Sequence, residues 1–214
     1  MYLTWLTALF MSAWMAGTRS IEARRPRTKV SRIDAASWIE TALTLLADGG
    51  VDAVRVEPLA EKLGVTKGAF YARYASRDAL LGAMLDYWRQ ESTIAVLSQF
   101  SAIAESPEER LRRVLMLPFR RPDIKERAGM EMGFRMWAYR DAAAAATMQE
   151  IDAYRLSYFR SVLEANGCAP EEAEARAFLI YAYVIADGTL PGSRTESIRA
   201  LCRGILSDNR ISGP

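Results

Sequence analysis

The residues best suited to a defined chemistry are Thr66, Lys67, Gly68 and Ala69, followed at short range by Tyr71 and Arg73. An ammonium, a guanidinium and a phenol all suit phosphate oxygens. Gly68 lets a main chain come close, and the Ala69 methyl can lie against a thymine methyl in the major groove of double-stranded DNA. The competing chemistries are poorly supplied. The sequence has no His, and its two cysteines, Cys168 and Cys202, show no paired spacing. Cys/His zinc sites, His-held haem and Ser-His or Cys-His nucleophilic constellations are therefore excluded, so no catalytic residue, metal or cofactor is expected. Two cysteines do not make a disulfide framework, which points to a reducing, cytoplasmic setting. Each reads as a small buried hydrophobe, with a redox pair as the minor alternative.

The elements that position these residues are short helices. Val56, Leu59, Ala60 and Leu63 recur at i, i+3, i+4 and i+7, the spacing of one buried helical face, and Gly64 ends that helix. Thr66 is placed to cap a second helix through its hydroxyl, with Phe70 and Tyr74 spaced i, i+4 on the buried side. Two brief helices joined by a glycine-containing turn make a helix-turn-helix, whose second helix presents its N-terminal residues to base edges. An upstream helix is expected from Ser31 and Asp34, at capping-box spacing, through Ile39, Ala42, Leu43, Leu46 and Ala47 to Gly49-Gly50. Ser76 and Asp78 open a long fourth helix with Leu80, Met84, Trp88 and Ala95 on one face, and Arg77 at its start is a further phosphate candidate.

The run from Ile33 to Leu81, above all LAEKLGVTKGAFYARYASRDALL, resembles the DNA-binding domain of the TetR (tetracycline-repressor) family of transcriptional regulators. The resemblance covers about fifty of the 214 residues. It rests on an Ala-x-x-x-Gly-Val-Thr turn, a Lys-Gly-x-Phe-Tyr stretch and a Ser-Arg-Asp-x-Leu helix start. Arg55 stands where that family often has a small hydroxyl residue, so a cap is lost and a cation gained. Arg73 and Tyr74 replace the more usual His and Phe while keeping the roles of phosphate contact and packing. The resemblance implies a DNA-contacting set of Arg55, Thr66, Lys67, Gly68, Ala69, Tyr71, Arg73 and Arg77. It also implies an effector cavity in a helical C-terminal domain and a homodimer that reads an inverted-repeat operator.

The net charge of +2 is unevenly distributed. Between Arg19 and Arg77 stand eleven Lys/Arg against seven Asp/Glu, and beyond that seventeen against nineteen. The basic excess thus accompanies the DNA-reading segment. Residues 1–30 are an apolar stretch, MYLTWLTALFMSAWMAG, followed by a basic one. Three readings of the apolar stretch stay open: a signal peptide, a membrane anchor with the following arginines on the cytoplasmic side, and a translation start later than Met1, for example at Met15. The segment RRPRTK reads either as a solvated linker or as an arm that contacts phosphate or the minor groove.

Downstream, Ser106-Pro107-Glu108-Glu109 is a strong helix start, with Pro118 as the stop. Further helices are expected over Ile124–Tyr139, where Gly129 and Gly133 permit close packing, and over Ala142–Asn166, closed by Gly167. Two more follow, Pro170–Asp187 and Thr195–Leu206, the latter opened by Ser193 and Glu196. Residues 115–160 are rich in Met and aromatics. Such stripes usually form core, but together they also suit an apolar cavity. Met116, Phe119, Met136, Trp137 and Tyr158 are the candidate pocket residues for a small hydrophobic effector. Phe178, Tyr181, Ile185, Ile198, Leu201 and Ile205 are the candidate dimer contacts.

The expected architecture is all-α. A three-helix helix-turn-helix domain over 31–77 is joined to a larger ligand-binding and dimerisation domain over 78–207, with a tail over 208–214. The expected function is a repressor released from its operator by the effector. A membrane-tethered regulator of the same family is the alternative. A helical enzyme is more remote, because no nucleophile-base pair, metal spacing or phosphate loop is present.

Overall fold

The computed structural model describes residues 33–103, 105–116, 124–190 and 195–207, and no strand occurs among them. The readings made on residues 1–32, Pro118, Phe119, Ser193 and 208–214 lie outside the described residues.

Helix α1 spans Ala35–Gly49. Its cap is Asp34, whose carboxylate accepts from the Ser37 N–H at 2.8 Å. The capping residue of this helix is thus Asp34 itself; the Ser31 half of the expected box lies outside the described residues. Trp38, Ala42, Leu43, Leu45 and Leu46 are buried, whereas Ile39 and Ala47 are half-buried. Gly50, at φ 71°, turns the chain and donates to Leu46 O. After a 3-10 turn over Val51–Ala53, helix α2 runs Val56–Leu63 and stops at Gly64, whose φ of 65° lies in the left-handed region that favours glycine. Helix α3 is one short turn and a half, Lys67–Tyr71. Its cap differs from the expectation: Thr66 has the extended backbone of an N-cap, but its side chain makes no capping hydrogen bond.

Helix α4, Arg77–Arg89, is capped by Ser76 through the Ala79 N–H. It continues through a π-turn, Gln90–Ile94, into α5, Ala95–Ser101. Helix α6, Pro107–Leu115, has the full capping box between Ser106 and Glu109 with Pro107 at its first position. Helices α7 (Ile124–Ala138), α8 (Ala142–Ala165), α9 (Pro170–Thr189) and α10 (Glu196–Ser207) complete the described chain. Asp141 caps α8, and Thr195 Oγ1 accepts from the Ile198 N–H at 3.4 Å at the start of α10.

Two hydrophobic clusters hold these helices. The first joins Trp38, Leu46, Leu59, Phe70, Leu80 and Met84 of the N-terminal helices to Trp88, Phe134, Trp137, Met148 and Ile151. Packing is therefore continuous across Arg77, where the sequence suggests a domain boundary. The cause is α7, which lies directly on α1. A Cβ added at Gly133 would stand 2.7 Å from Leu46 Cγ and 2.9 Å from Leu46 O, and one at Gly129 would stand 3.2 Å from Ala47 Cβ. Only glycine permits the Gly133 approach, so the Gly-x-x-x-Gly spacing does fasten two helices here. The second cluster packs Leu111, Val114 and Leu115 of α6 against Phe159, Val162 and Leu163 of α8 and Ala177, Ile180 and Tyr181 of α9.

Candidate nucleic-acid interface and the helical domain behind it

The short helix α3 is held from beneath by its aromatic anchors. Phe70 is fully buried, edge-on to Trp38 at 5.5 Å and tilted against Tyr74 at 5.7 Å. With Phe70 and Tyr74 turned inward, helical geometry turns the intervening residues outward. Thr66, Lys67, Gly68 and Arg73 are exposed, Tyr71 is 58% exposed, and Ala69 is half-buried. Burial of one ring thus orients the whole outward face.

Gly68 has ordinary helical backbone, and a Cβ placed there would meet nothing closer than Thr66 Oγ1 at 3.5 Å. Folding does not require glycine at this position, although glycine costs a helix about 1 kcal/mol relative to alanine. A partner approaching from outside is a physical reason to keep it small. Arg55 occupies the N-cap position of α2, exposed and without a side-chain cap, and Arg73 lies 5.8 Å from the Tyr74 ring centroid.

Arg77 differs from the other cations in this set. Its Nε donates to Val54 O and its Nη2 to Val51 O, each at 2.6 Å. The guanidinium ties the 3-10 turn to the start of α4, a structural task that its position in the sequence does not reveal. Lys67 is also engaged: its Nζ donates to Glu57 Oε1 at 2.7 Å. That hydrogen bond holds the Glu57 carboxyl below its ordinary value and raises the Lys67 ammonium above its own. Glu57 escaped the sequence reading because the pair is ten residues apart and meets only when the turn at Gly64 folds α3 back across α2.

The described pocket candidates lie in different surroundings. Trp137 is buried in the first core beside Phe134, while Met136, its neighbour on α7, is 50% exposed. Tyr158 is half-buried against the second core, where burial raises its phenol pKa above the ordinary value. A groove of about 400 Å3 lies between α6, the end of α8 and α10, lined by Leu111, Leu115, Met116, Arg112, Arg203 and Asn166 among others. Met116 is the one described candidate that reaches it. Among the dimer candidates, Phe178, Ile198, Leu201 and Ile205 are 63%, 48%, 64% and 64% exposed. Ile185 is half-buried, and Tyr181 is buried and points into its own subunit.

Tyr181 belongs to a polar cluster that the sequence reading missed. Arg155 donates to Glu131 at 3.0 Å, to Tyr181 OH at 3.0 Å and to Thr93 Oγ1 at 3.1 Å. Arg135 donates to Asp152 at 2.8 Å and to Tyr181 OH at 2.8 Å, and Tyr181 in turn donates to Asp152 Oδ1 at 2.5 Å. Burial pushes the Tyr181 phenol far above its ordinary value, so it stays a neutral donor at any physiological pH. The cluster joins the π-turn, α7, α8 and α9. One signal in the sequence could have found it: opposite charges at i, i+4 (Glu131 and Arg135) and i, i+3 (Asp152 and Arg155), spacings that put each pair on one helix face.

A buried, aromatic-anchored helix-turn-helix with an outward cationic face, set on a larger helical body, defines the class of architecture: a helix-turn-helix unit joined to a helical domain. Residues 39–84 match the family described as bacterial regulatory proteins, tetR family, so the helix-turn-helix segment of this chain is similar to that family's. It is 35% identical over 77 residues to the uncharacterized HTH-type transcriptional regulator YuxN of Bacillus subtilis (strain 168), a match that takes in 36% of this chain and 26% of that protein. The fold matches a putative TetR-family transcriptional regulator from Rhodococcus sp. with a TM-score of 0.63 and 22% identity over 80% of this chain and 96% of that one. It also matches a putative transcriptional regulator from Saccharomonospora viridis, in complex with choline, with a TM-score of 0.69 and 16% identity over 82% of this chain and 96% of that one. No helix among the described residues is long and apolar enough to cross a membrane.

Proposed function

We propose that the protein is a homodimeric repressor that binds an inverted-repeat operator through α3 and is released by a small, largely hydrophobic effector bound in the helical domain. The observation that carries this reading is the orientation of α3. Phe70 at 0% exposure fixes the helix, so that Lys67, Gly68, Tyr71 and Arg73 all face away from the body. In this role Lys67, Tyr71, Arg73 and Arg55 contact phosphate, and Gly68 and Ala69 meet base edges. Arg77 acts mainly by holding the turn that carries them.

The exposed stripe of Phe178, Leu179, Ile198, Leu201 and Ile205 on α9 and α10 supports a dimer face, since large apolar side chains clustered on adjacent helices gain from a partner. Two readers on such a dimer meet half-sites one helical turn apart, or a multiple of it. The groove at Met116 supports an effector site, and the choline in the Saccharomonospora structure is a precedent for small ligands on this fold. Transmission runs through α7, which is clasped to α1 at Gly133 and to α8 and α9 by the Arg135–Asp152–Tyr181 contacts. A ligand that moves α7 moves α1. To matter, it must prefer one arrangement by about 1 to 3 kcal/mol.

Selection of genomic fragments with the purified full chain at fixed, near-physiological salt tests the reading. Recovery of one inverted repeat is expected. Uniform, salt-sensitive retention of every fragment would refute operator-specific binding. For the dimer, Leu201→Glu is expected to convert the sedimenting species to a monomer that keeps its helical circular dichroism. An unchanged dimer would exclude this face.

A further inference from the structure

The Glu57–Lys67 pair spans the turn between the two helices of the DNA reader, with its oxygen and nitrogen 2.7 Å apart and the side chains 60% and 59% exposed. Glu57 lies in the first turn of α2, where the helix dipole favours a carboxylate. Lys67 is the first residue of α3. On the reading of α3 as the recognition helix, which this inference rests on, both groups occupy the surface that meets the phosphate backbone.

We propose that Glu57 is a specificity-determining residue that competes with DNA phosphate for Lys67, weakening binding to non-matching DNA more than binding to the operator. A structural role for the pair is already filled by other contacts. Val65 N donates to Ala60 O at 2.9 Å and Gly64 N to Glu61 O at 3.0 Å, while Leu59 and Phe70, both at 0% exposure, pack the two helices together. An ion pair this exposed contributes little to folding. Its electrostatic consequence for DNA is larger, because non-specific affinity is almost wholly phosphate neutralisation and counterion release. While Lys67 is held by Glu57, it neutralises no phosphate, and the carboxylate adds a negative charge facing the backbone. On non-matching DNA nothing offsets the opening of the pair. On the operator, the base contacts made by the start of α3 do.

The test uses the full chain, a random-sequence duplex of about 30 base pairs and the selected inverted repeat, each titrated across a series of salt concentrations. Glu57→Gln is expected to tighten binding to the random duplex by about three- to tenfold, the scale of one unit charge removed near a phosphate in water. It is also expected to steepen the log-log salt slope by about 0.9, the increment of one phosphate contact. Operator affinity is expected to rise less, so the specificity ratio falls. When Glu57→Gln is combined with Lys67→Met, the steeper salt slope is expected to vanish and only the smaller gain from removing the carboxylate's own repulsion to remain. Random-duplex binding no tighter than wild type, or a steepened slope and full gain that persist without Lys67, overturns the proposal. Lys67→Met and Arg73→Ala separate the two levels: if both leave all DNA binding unchanged, the recognition-helix reading fails as well. If they weaken binding but Glu57→Gln confers no gain, only the competition fails. A circular dichroism melt of each variant confirms that it is folded.

Discussion

Gly133→Ala is the sharpest test of the clasp between α7 and α1. The added Cβ falls 2.7 Å from Leu46 Cγ, 3.3 Å from Leu46 Cδ1 and 2.9 Å from Leu46 O. The side chain of Leu46 can turn aside, but its carbonyl oxygen cannot. It belongs to α1 and accepts the Gly50 N–H at 2.9 Å in the helix cap. The two helices must therefore part, at an overpacking cost of about 1–3 kcal/mol. Against this stands the helix-propensity gain of about 1 kcal/mol on replacing glycine by alanine. The net effect is a destabilisation of up to about 2 kcal/mol, or a drop in Tm of several degrees at about 2–4 °C per kcal/mol for a chain of this size.

Two other glycines calibrate the measurement. Gly82, in α4, has nothing within 4 Å of its added Cβ, whereas Gly129 meets Ala47 Cβ at 3.2 Å. Thermal or urea denaturation should therefore rank the alanine variants Gly82 most stable, Gly129 near wild type and Gly133 least stable. If Gly133→Ala gains as much stability as Gly82→Ala, α7 does not lie on α1 at this distance, and the proposed route from effector to reader loses its physical basis.

Other consequences can be measured with the same material. Phe70→Ala removes a fully buried ring against Trp38 and Tyr74. It should cost about 3–5 kcal/mol in urea unfolding; a loss under about 1 kcal/mol would mean that α3 is not anchored by this ring. Arg77→Ala gives up two guanidinium hydrogen bonds, to Val51 O and Val54 O, and should lower stability by about 2 kcal/mol. Arg73→Ala, at an exposed position, should leave the melting curve in place while weakening DNA binding alike on all sequences, so an equal stability loss in the two variants would contradict their assigned roles. The Glu109 carboxyl is held below its ordinary value first by the Ser106 backbone N–H and then by its hydroxyl. A lowered folded-state pKa stabilises above the unfolded value, and the benefit fades as pH falls through the folded one. The stability advantage of wild type over Glu109→Gln should accordingly be present at pH 7 and shrink on acidification; an advantage that is constant with pH would exclude the capping box as its source.

Sequence alone determined the features that depend on near neighbours along the chain. The helix stops at Gly50, Gly64 and Gly167 follow from backbone conformations that glycine adopts most readily. The Ser106-Pro107-Glu109 start follows from local hydrogen bonding, and the burial of Leu59, Ala60 and Phe70 from spacing on a helical face. The resemblance of Ile33 to Leu81 to one family rests on the same kind of local pattern, which is why the DNA reader was legible and its family match over residues 39–84 expected.

Tertiary structure decided what depends on chain segments distant in sequence. The partners that seat Arg77 lie 23 and 26 residues away, and the carboxylate that holds Lys67 lies ten residues away. Of the apolar candidates in the helical domain, Trp137 and Tyr181 face inward and Met136 and Phe178 face outward. Periodicity shows that a helix has an apolar face but not which neighbour will cover it. The same holds for Gly133, where the spacing allows a close approach and only the fold supplies Leu46 as the helix that makes it. Each of these outcomes turns on which surfaces meet, and that is settled by packing the helices against one another, not by the order of residues within any one of them.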